Sequence, residues 1–186
     1  KPGPGVGGHC IAVDPWFIVS ETPEQARLIR TAREVNDGKP QWVINKVKEA
    51  VGQFLVANSG HTAKDVSVAL FGLAFKPDID DLRESPALQI ASQIIESYSG
   101  SVSIVEPNIT RLPKGFEQSS LIHLNSLKNA DFSLLLVDHK EFKTNMKSII
   151  KYLPKCRFIL DNMKVWEKID FPKHITYKIS GEKNWI

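Results

Sequence analysis

A thiol and a carboxylate four residues apart, Cys10 and Asp14, close a glycine-rich stretch: Lys1-Pro-Gly-Pro-Gly-Val-Gly-Gly-His9-Cys10-Ile-Ala-Val-Asp14-Pro15-Trp16. Gly3, Gly5, Gly7 and Gly8 free the backbone to take positive φ and to approach a ligand closely. A permissive loop ending in a nucleophile and then an acid has the make-up of a reaction centre. The competing reading is a surface turn with a structural cysteine. Asp14-Pro15 has the form of a helix start, with Asp14 as N-cap and Pro15 in the first helical position. Cys10 would then lie in the turn before a helix N-terminus, where backbone N–H groups favour a thiolate. His9 is a poor partner for it, because adjacent side chains in an extended segment point apart. Gly3-Pro4-Gly5-Val6-Gly7-Gly8 satisfies G-x-G-x-x-G literally, but no strand precedes it, so it does not read as a dinucleotide fingerprint.

A second group of chemistry-bearing residues follows the apolar run Val66-Ser-Val-Ala-Leu-Phe71. That run, stopped by Gly72, has the pattern of a buried parallel strand. The loop after it carries Phe75, Lys76 and Arg83 and leads into a helix start at Ser85-Pro86. A ring, two cations and a helix N-terminus are the parts needed to hold a diphosphate. The alternative is an exposed charged loop. Asp78, Asp80 and Asp81 lack a second set of ligands at metal-binding spacing, so no metal is expected there. Glu106 ends a further strand, Val102–Val105, where dinucleotide folds place the acid that binds ribose. This allows a rival reading in which the sheet itself binds NAD. Against it, the first strand turn has only Gly72 in place of the full glycine fingerprint.

The elements that must position these residues change character along the chain. Thr22-Pro23-Glu24-Gln25 fits a capping box, and Ala26, Ile29, Ala32 and Val35 follow at helical spacing. Asn36-Asp37-Gly38-Lys39-Pro40 ends or kinks that helix. The stripe resumes at Val43, Val47, Ala50, Val51, Phe54 and Leu55. It reads first as core packing, and also as a face able to pair across a two-fold axis. Beyond Asn58-Ser-Gly-His-Thr the pattern alternates. Strands are expected at 66–71, 102–105, 121–124, 133–137, 157–160 and 175–179. Helices are expected after Ser85 and over 144–153. Such alternation specifies an α/β fold, a doubly wound Rossmann-like parallel sheet preceded by a long-helix segment suited to dimerisation. The division expected is 1–60 for the cysteine loop and helical segment, and 61–186 for the sheet domain.

Bulk properties narrow the class. The chain has 186 residues, 42% of them hydrophobic, and a formal charge of +3. The mild charge with scattered basic residues gives no nucleic-acid footprint. No apolar run approaches the roughly 18 residues of a membrane span. Two distant cysteines, Cys10 and Cys156, are too few for a disulfide framework and suit a cytoplasmic setting. Cys156, before an apolar strand, reads as structural. A first residue other than Met that opens a functional loop suggests a C-terminal portion of a longer protein.

The motifs Gly-Pro-Gly-Val-Gly-Gly-His-Cys-Ile-Ala-Val-Asp-Pro-Trp-Phe, Ala32-Arg-Glu-Val-Asn-Asp37, Phe71-Gly-Leu-Ala-Phe-Lys-Pro77, Asp80-Asp-Leu-Arg-Glu-Ser-Pro86 and Val105-Glu-Pro-Asn108 together resemble the UDP-glucose/GDP-mannose dehydrogenase family of nucleotide-sugar 6-dehydrogenases. The resemblance runs from Gly3 to Trp166. It implies a four-electron oxidation of a sugar C6 alcohol to a carboxylate with two NAD+, a role in polysaccharide precursor synthesis, and an NAD-binding domain preceding Lys1. It implies Cys10 as nucleophile, Asp14 as the acid that orients water or assists proton transfer, and Gly5, Gly7 and Gly8 as the backbone closing over the sugar. It further implies Phe75 and Lys76 as substrate contacts and Arg83 as the arginine reaching NAD. In this family the long helix is the hinge and the homodimer interface. A UDP-amino sugar, UDP-N-acetylmannosamine, is the substrate that the His-Cys-Ile-Ala-Val-Asp-Pro-Trp form favours. UDP-glucose, UDP-N-acetylglucosamine and GDP-mannose are the alternatives, as is a non-catalytic sugar-nucleotide-binding module. The chain departs from the family at Asp161-Asn162-Met163-Lys164: Met163 stands where the family has a substrate-binding cation. Either Lys164, one residue late, takes that contact or the contact is lost.

Overall fold

The computed structural model describes residues 3–144 and 146–181. Three helices come first: α1 (Asp14–Glu21), α2 (Arg27–Asp37) and α3 (Lys39–Ala57). The sheet portion follows as β1 (Val68–Phe71), α4 (Pro86–Ser97), β2 (Val102–Val105), β3 (Ser119–Leu121), β4 (Phe132–Leu135), α5 (Lys140–Thr144), α6 (Met146–Tyr152), β5 (Phe158–Asp161) and β6 (Thr176–Ile179). All six strands are parallel, in the order β3-β2-β1-β4-β5-β6. This is the doubly wound arrangement the alternating pattern specifies, with its topological switch between β1 and β4.

Burial on both faces explains the near-continuous apolar strands. Along β1, Val68 and Leu70 pack with Val43, Ile44 and Val47 of α3 and Ile90, Ala91 and Ile94 of α4. Ala69 and Phe71 face the other way, with Phe142, Ile149, Leu153, Ile159 and Trp166. Phe71 meets Phe142 and Trp166 edge-on at centroid distances of 5.5 and 5.1 Å, a geometry the ring quadrupoles favour. Cys156 is fully buried in this second layer, where desolvation pushes its thiol up to about 11. It is structural, as its place before a strand suggests.

Several local expectations shift. Asp14 does not cap α1. The cap position is Val13, and Asp14 is the first helical residue. Thr22 does not open α2 either, because its hydroxyl donates back to the Ile18 carbonyl at 2.9 Å and it terminates α1. The next helix begins five residues later. The expected strand at 121–124 lies instead at Ser119–Leu121, and the helix at 144–153 starts earlier, as α5 followed by α6. Gly38 keeps right-handed helical angles, φ −77° and ψ −13°, and Trp42 N–H donates to its carbonyl. Helices α2 and α3 are therefore nearly continuous through a bend.

The apolar stripe divides at that bend. Val43, Val47 and Val51 on α3 are core residues. On α2, Ala32 is exposed, and Val35 and Leu28 are 72% and 81% exposed. Of the expected stripe, Ala26 at the cap of α2 is buried and Ile29 half-buried, but Ala32 and Val35 are not core packing within this chain. Among the described residues, no helix is long and apolar enough to cross a membrane.

Candidate active site

The polar face of α2 holds the cysteine loop. The Asn36 amide meets the backbone of Val6 at both ends: Oδ1 accepts from Val6 N–H at 2.9 Å, and Nδ2 donates to Val6 O at 3.4 Å. Arg33 is buried, donates to Ile11 O at 3.4 Å and pairs with Asp37. Between these clamps the chain makes a compact turn, in which Cys10 O accepts from Val13 N–H (3.0 Å) and Asp14 N–H (2.8 Å). That turn brings Cys10 and Asp14 one helical turn apart, and both side chains are exposed. The sequence places Ala32 and Val35 on a packing stripe and Asn36-Asp37 at the helix end, and this role of Arg33 and Asn36 was missed. The signal was an Arg and an Asn three residues apart on the polar face.

The loop's other side rests on the carboxyl end of the sheet. A Cβ on Gly8, at φ +92°, would stand 3.0 Å from the Phe75 ring. One on Gly5 would stand 3.0 Å from Pro86, and one on Gly7 would overlap Glu84 O and the Pro86 ring. Gly3 lies against Met163, where a Cβ would be 3.0 Å from Sδ. These glycines are needed because the loop packs closely on the Met163, Pro86 and Phe75 side chains and, at Gly7, on the Glu84 carbonyl. They and the Ser85 cap, whose Oγ accepts from Leu88 N–H and donates to Leu73 O, cover the start of α4.

Around Cys10 the electrostatics are set by an ion pair. The Arg83 guanidinium forks onto Asp81, with Nε 3.0 and 3.1 Å from the two oxygens and an NH2 contact of 2.6 Å. Hydrogen bonds from Arg83 hold the Asp81 carboxyl down at about 2. Arg83 is in turn raised, chiefly by its bonds to Asp81 and that residue's charge, and also by the charge of Cys10. His9 adds to the lowering of Asp81. Thus Cys10, His9, Arg83 and Asp81 share one field. Lys76 Nζ sits 5.4 Å from the Phe75 centroid, within cation–π range. The structure brings together Cys10, Asp14, Gly5, Gly7, Gly8, Phe75, Lys76 and Arg83. Lys164 is exposed, at φ 56°, next to Met163, whose thioether faces Gly3.

Beneath this surface lies a buried polar cluster. Glu106, at the end of β2, accepts from the N–H groups of Leu73 (2.7 Å), Ala74 (3.3 Å) and Asn108 (3.0 Å), and lies 3.0 Å from Nε2 of His139. Burial alone would raise its carboxyl, but the hydrogen bond from His139 and the backbone donors outweigh that and hold it below the usual glutamate range. His139 Nδ1 accepts from Asp78 N–H at 2.9 Å and meets Asn108 Nδ2 at 3.0 Å. Asp78 Oδ1 accepts from Lys140 N–H at 2.8 Å. Asp78 and Asp81 therefore serve local structure. Among the described residues, no group of three or more His, Cys, Asp or Glu could hold a metal ion.

The cluster also disposes of the rival cofactor reading. The acid that would bind ribose is committed to the chain's own loop, and Gly72 packs tightly against Val137, leaving no room there for a Cβ. These residues do not fit a dinucleotide at the switch point. A hollow of about 690 Å³ lined by Glu106, Pro107 and His123 opens beside the end of β2, and two larger ones lie elsewhere. One of about 820 Å³, lined by Phe132, Phe158 and Thr176, sits at the amino ends of the strands. A groove of about 800 Å³ runs between α2 and α4, lined by Val6, Trp16, Arg33 and Pro86. Neither is lined by Cys10, whose thiol lies on an open face.

Comparison with known proteins agrees with this geometry. Residues 69–168 match the UDP-binding domain of the UDP-glucose/GDP-mannose dehydrogenase family, and residues 1–38 match its central domain. The chain is 54% identical over 168 residues to UDP-N-acetyl-D-mannosamine dehydrogenase of Salmonella typhi, covering 89% of this chain and 39% of that protein. It is 59% identical over 145 residues to the enzyme of the same name from Escherichia coli K12, covering 77% and 34%. The solved UDP-N-acetyl-mannosamine dehydrogenase Cap5O of S. aureus superposes with a TM-score of 0.72 at 34% identity, over 96% of this chain and 39% of that one. The chain thus spans about two fifths of the length of the curated relatives it matches.

Proposed function

The chain belongs to the UDP-glucose/GDP-mannose dehydrogenase family, and from that premise we propose that the protein of which it forms part is an NAD-dependent UDP-N-acetyl-D-mannosamine 6-dehydrogenase. One observation carries the reading. The cysteine loop, clamped by Asn36 and Arg33, rests on Phe75, so that an exposed thiol stands in the field of Arg83 at the carboxyl end of a UDP-binding sheet.

Two successive NAD+, held by parts of the protein outside this sheet, supply the hydride acceptors. Within this chain, Cys10 Sγ adds to the C6 aldehyde and gives a thiohemiacetal. Oxidation of that adduct leaves a thioester, and water cleaves it to the carboxylate and the free thiol. Covalent capture keeps the aldehyde from escaping and divides a difficult oxidation into easier steps. Asp14, one turn from Cys10, orients the water or accepts its proton. Phe75 and Lys76 hold the nucleotide sugar, Arg83 stabilises anionic groups near the thiol, Gly5, Gly7 and Gly8 let the loop close, and Lys164 replaces the cation lost at Met163. Two chains pair through the apolar face of α2, which is exposed here. The nucleotide-sugar substrate and the two free thiols suit the cytoplasm.

The test is an NADH count on the full-length protein with limiting UDP-N-acetylmannosamine. About two NADH per sugar is the stoichiometry of thioester chemistry. No turnover with this sugar but turnover with another would discard the substrate and keep the chemistry. A relative from Ralstonia solanacearum, 52% identical over 144 residues and named NDP-N-acetyl-D-galactosaminuronic acid dehydrogenase, makes a second N-acetyl sugar the first alternative to try. No turnover with any nucleotide sugar would leave a binding module.

A further inference from the structure

Phe75 and Lys76 sit on a loop that leaves β1 at Gly72 and reaches α4 at Pro86, and Lys76 and Asp78 are exposed. The Phe75 N–H bond to Asp81 O, the Lys140 N–H bond to Asp78 Oδ1 and the Ser85 Oγ bond to Leu73 O help to shape it. Two further ties run inward to one buried pair. Glu106 accepts the N–H groups of Leu73 and Ala74 on one side of the Phe75–Lys76 pair. His139 accepts the N–H of Asp78 on the other. The imidazole is fully buried and joins the two ties, because its second nitrogen bonds the Glu106 carboxylate.

The tautomer follows from the partners. A backbone N–H can only donate, so Nδ1 must be unprotonated. A carboxylate accepts, so Nε2 carries the hydrogen. Asn108 Nδ2 donates to the same Nδ1 and to Glu106 Oε1, which fixes the same proton arrangement. The residue at 139 must therefore present an acceptor to the loop and a donor to the acid, at two points a ring apart.

We propose that His139 is a positioning residue for nucleotide binding, acting through Asp78 to set the Lys76 ammonium and the Phe75 ring. This rests on the proposed assignment of Phe75 and Lys76 to the substrate. Two substitutions separate the ties. In His139→Asn the amide oxygen can take the place of Nδ1 and keep the Asp78 bond. Glu106 then loses one donor but keeps its three backbone ones. In His139→Gln the amide reaches the place of Nε2 and keeps the Glu106 bond, while Asp78 N–H loses its acceptor.

The experiment is UDP titration of the full-length protein by calorimetry, with thermal unfolding of each variant alongside. Lys76→Ala sets the reference and is expected to weaken UDP binding by about tenfold or more, the loss of one charge-assisted contact. His139→Gln should weaken it by about tenfold, since an unsatisfied amide forces the loop to move. His139→Asn should stay within about threefold of the wild type. Equal weakening in the two variants, tracking their loss of thermal stability, would make His139 merely structural and overturn the proposal. Wild-type affinity in His139→Gln beside a weakened Lys76→Ala would overturn it while keeping the substrate assignment. Wild-type affinity in Lys76→Ala would remove both. A readout that needs no substitution is amide exchange in the wild-type protein: the Asp78 N–H should be protected although its side chain is exposed, and exchange at the free-peptide rate refutes the tie.

Discussion

Gly7→Ala is the most incisive perturbation of the cysteine loop, because steric and conformational costs can be separated there. At Gly7 a Cβ would stand 2.6 Å from Pro86 Cδ and closer still to Glu84 O, and neither is the far end of a flexible side chain. Gly8 combines a φ of +92° with a 3.0 Å approach to Phe75, a half-buried ring that can yield by a few tenths of an ångström. Gly115 has almost the same φ, +91°, with nothing within 4 Å, so Gly115→Ala isolates the backbone cost. That cost is about 1–2 kcal/mol for an L-residue in a left-handed conformation. Overpacking against groups that cannot retreat adds about 1–3 kcal/mol. Taken from the docked loop, 3 kcal/mol corresponds to roughly a hundredfold fall in turnover. Turnover with saturating UDP-N-acetylmannosamine and urea unfolding should be measured for all three variants of the full-length protein. Gly115→Ala should lose about 1 kcal/mol of stability with near wild-type turnover. Gly8→Ala should lose about tenfold in turnover, and Gly7→Ala more than that. If Gly7→Ala turns over within twofold of the wild type, the loop does not rest on Glu84 and Pro86 during catalysis, and the reasoning fails.

Other expectations follow from the same geometry. Cys10→Ser should abolish carboxylate formation while UDP still binds; unchanged turnover would remove Cys10 as nucleophile. A thiol reagent at neutral pH should modify exposed Cys10 in the native protein and leave Cys156, buried with its thiol pushed up to about 11, until urea unfolds the chain; equal rates would contradict the burial. Asn36→Ala removes both bonds to Val6 and should lower turnover by roughly three- to thirtyfold, about 0.5–2 kcal/mol, with little change in global unfolding. Glu106 has a depressed carboxyl, so its stabilising contribution is complete above the unfolded glutamate value near about 4.3 and is lost as pH falls through its lower folded value. Glu106→Gln should flatten the stability–pH curve in that acid range, and an unchanged slope would show that the carboxylate is not preferentially bound in the folded state.

How much of this was legible depended on which forces were local. The parallel sheet was readable because buried parallel strands leave unbroken apolar runs, as in Val68–Phe71 and Phe132–Leu135. The start of α4 was readable because Ser85-Pro86 is both cap and first turn. Cys10 stood out from its residue type at the end of a glycine-rich loop, and Phe75 and Arg83 from their place after a strand. The start of α1 slipped by one residue and that of α2 by four, since Thr22 found a carbonyl one turn back before it could cap the next helix. The α2 stripe was misleading for a different reason: periodicity reports an apolar face but not what covers it. Glu106 and His139 lie 33 residues apart in sequence, and nothing in either neighbourhood announces the other. The acid was visible at the end of β2, but its engagement by Leu73, Ala74 and His139 depends on tertiary contact alone.

The bend at Gly38 has a mechanical consequence. With α3 anchored in the core, α2 is a lever pivoting at Gly38, and its ties to the cysteine loop sit close to the pivot. At a rise of about 1.5 Å per residue, Asn36 is about 3 Å along the lever, Arg33 about 7.5 Å and Arg27 about 16 Å. A flexure of about 10° would carry Arg27 through nearly 3 Å yet shift Asn36 by only about 0.5 Å. The far end of α2 can swing while Val6, held by Asn36, stays almost still.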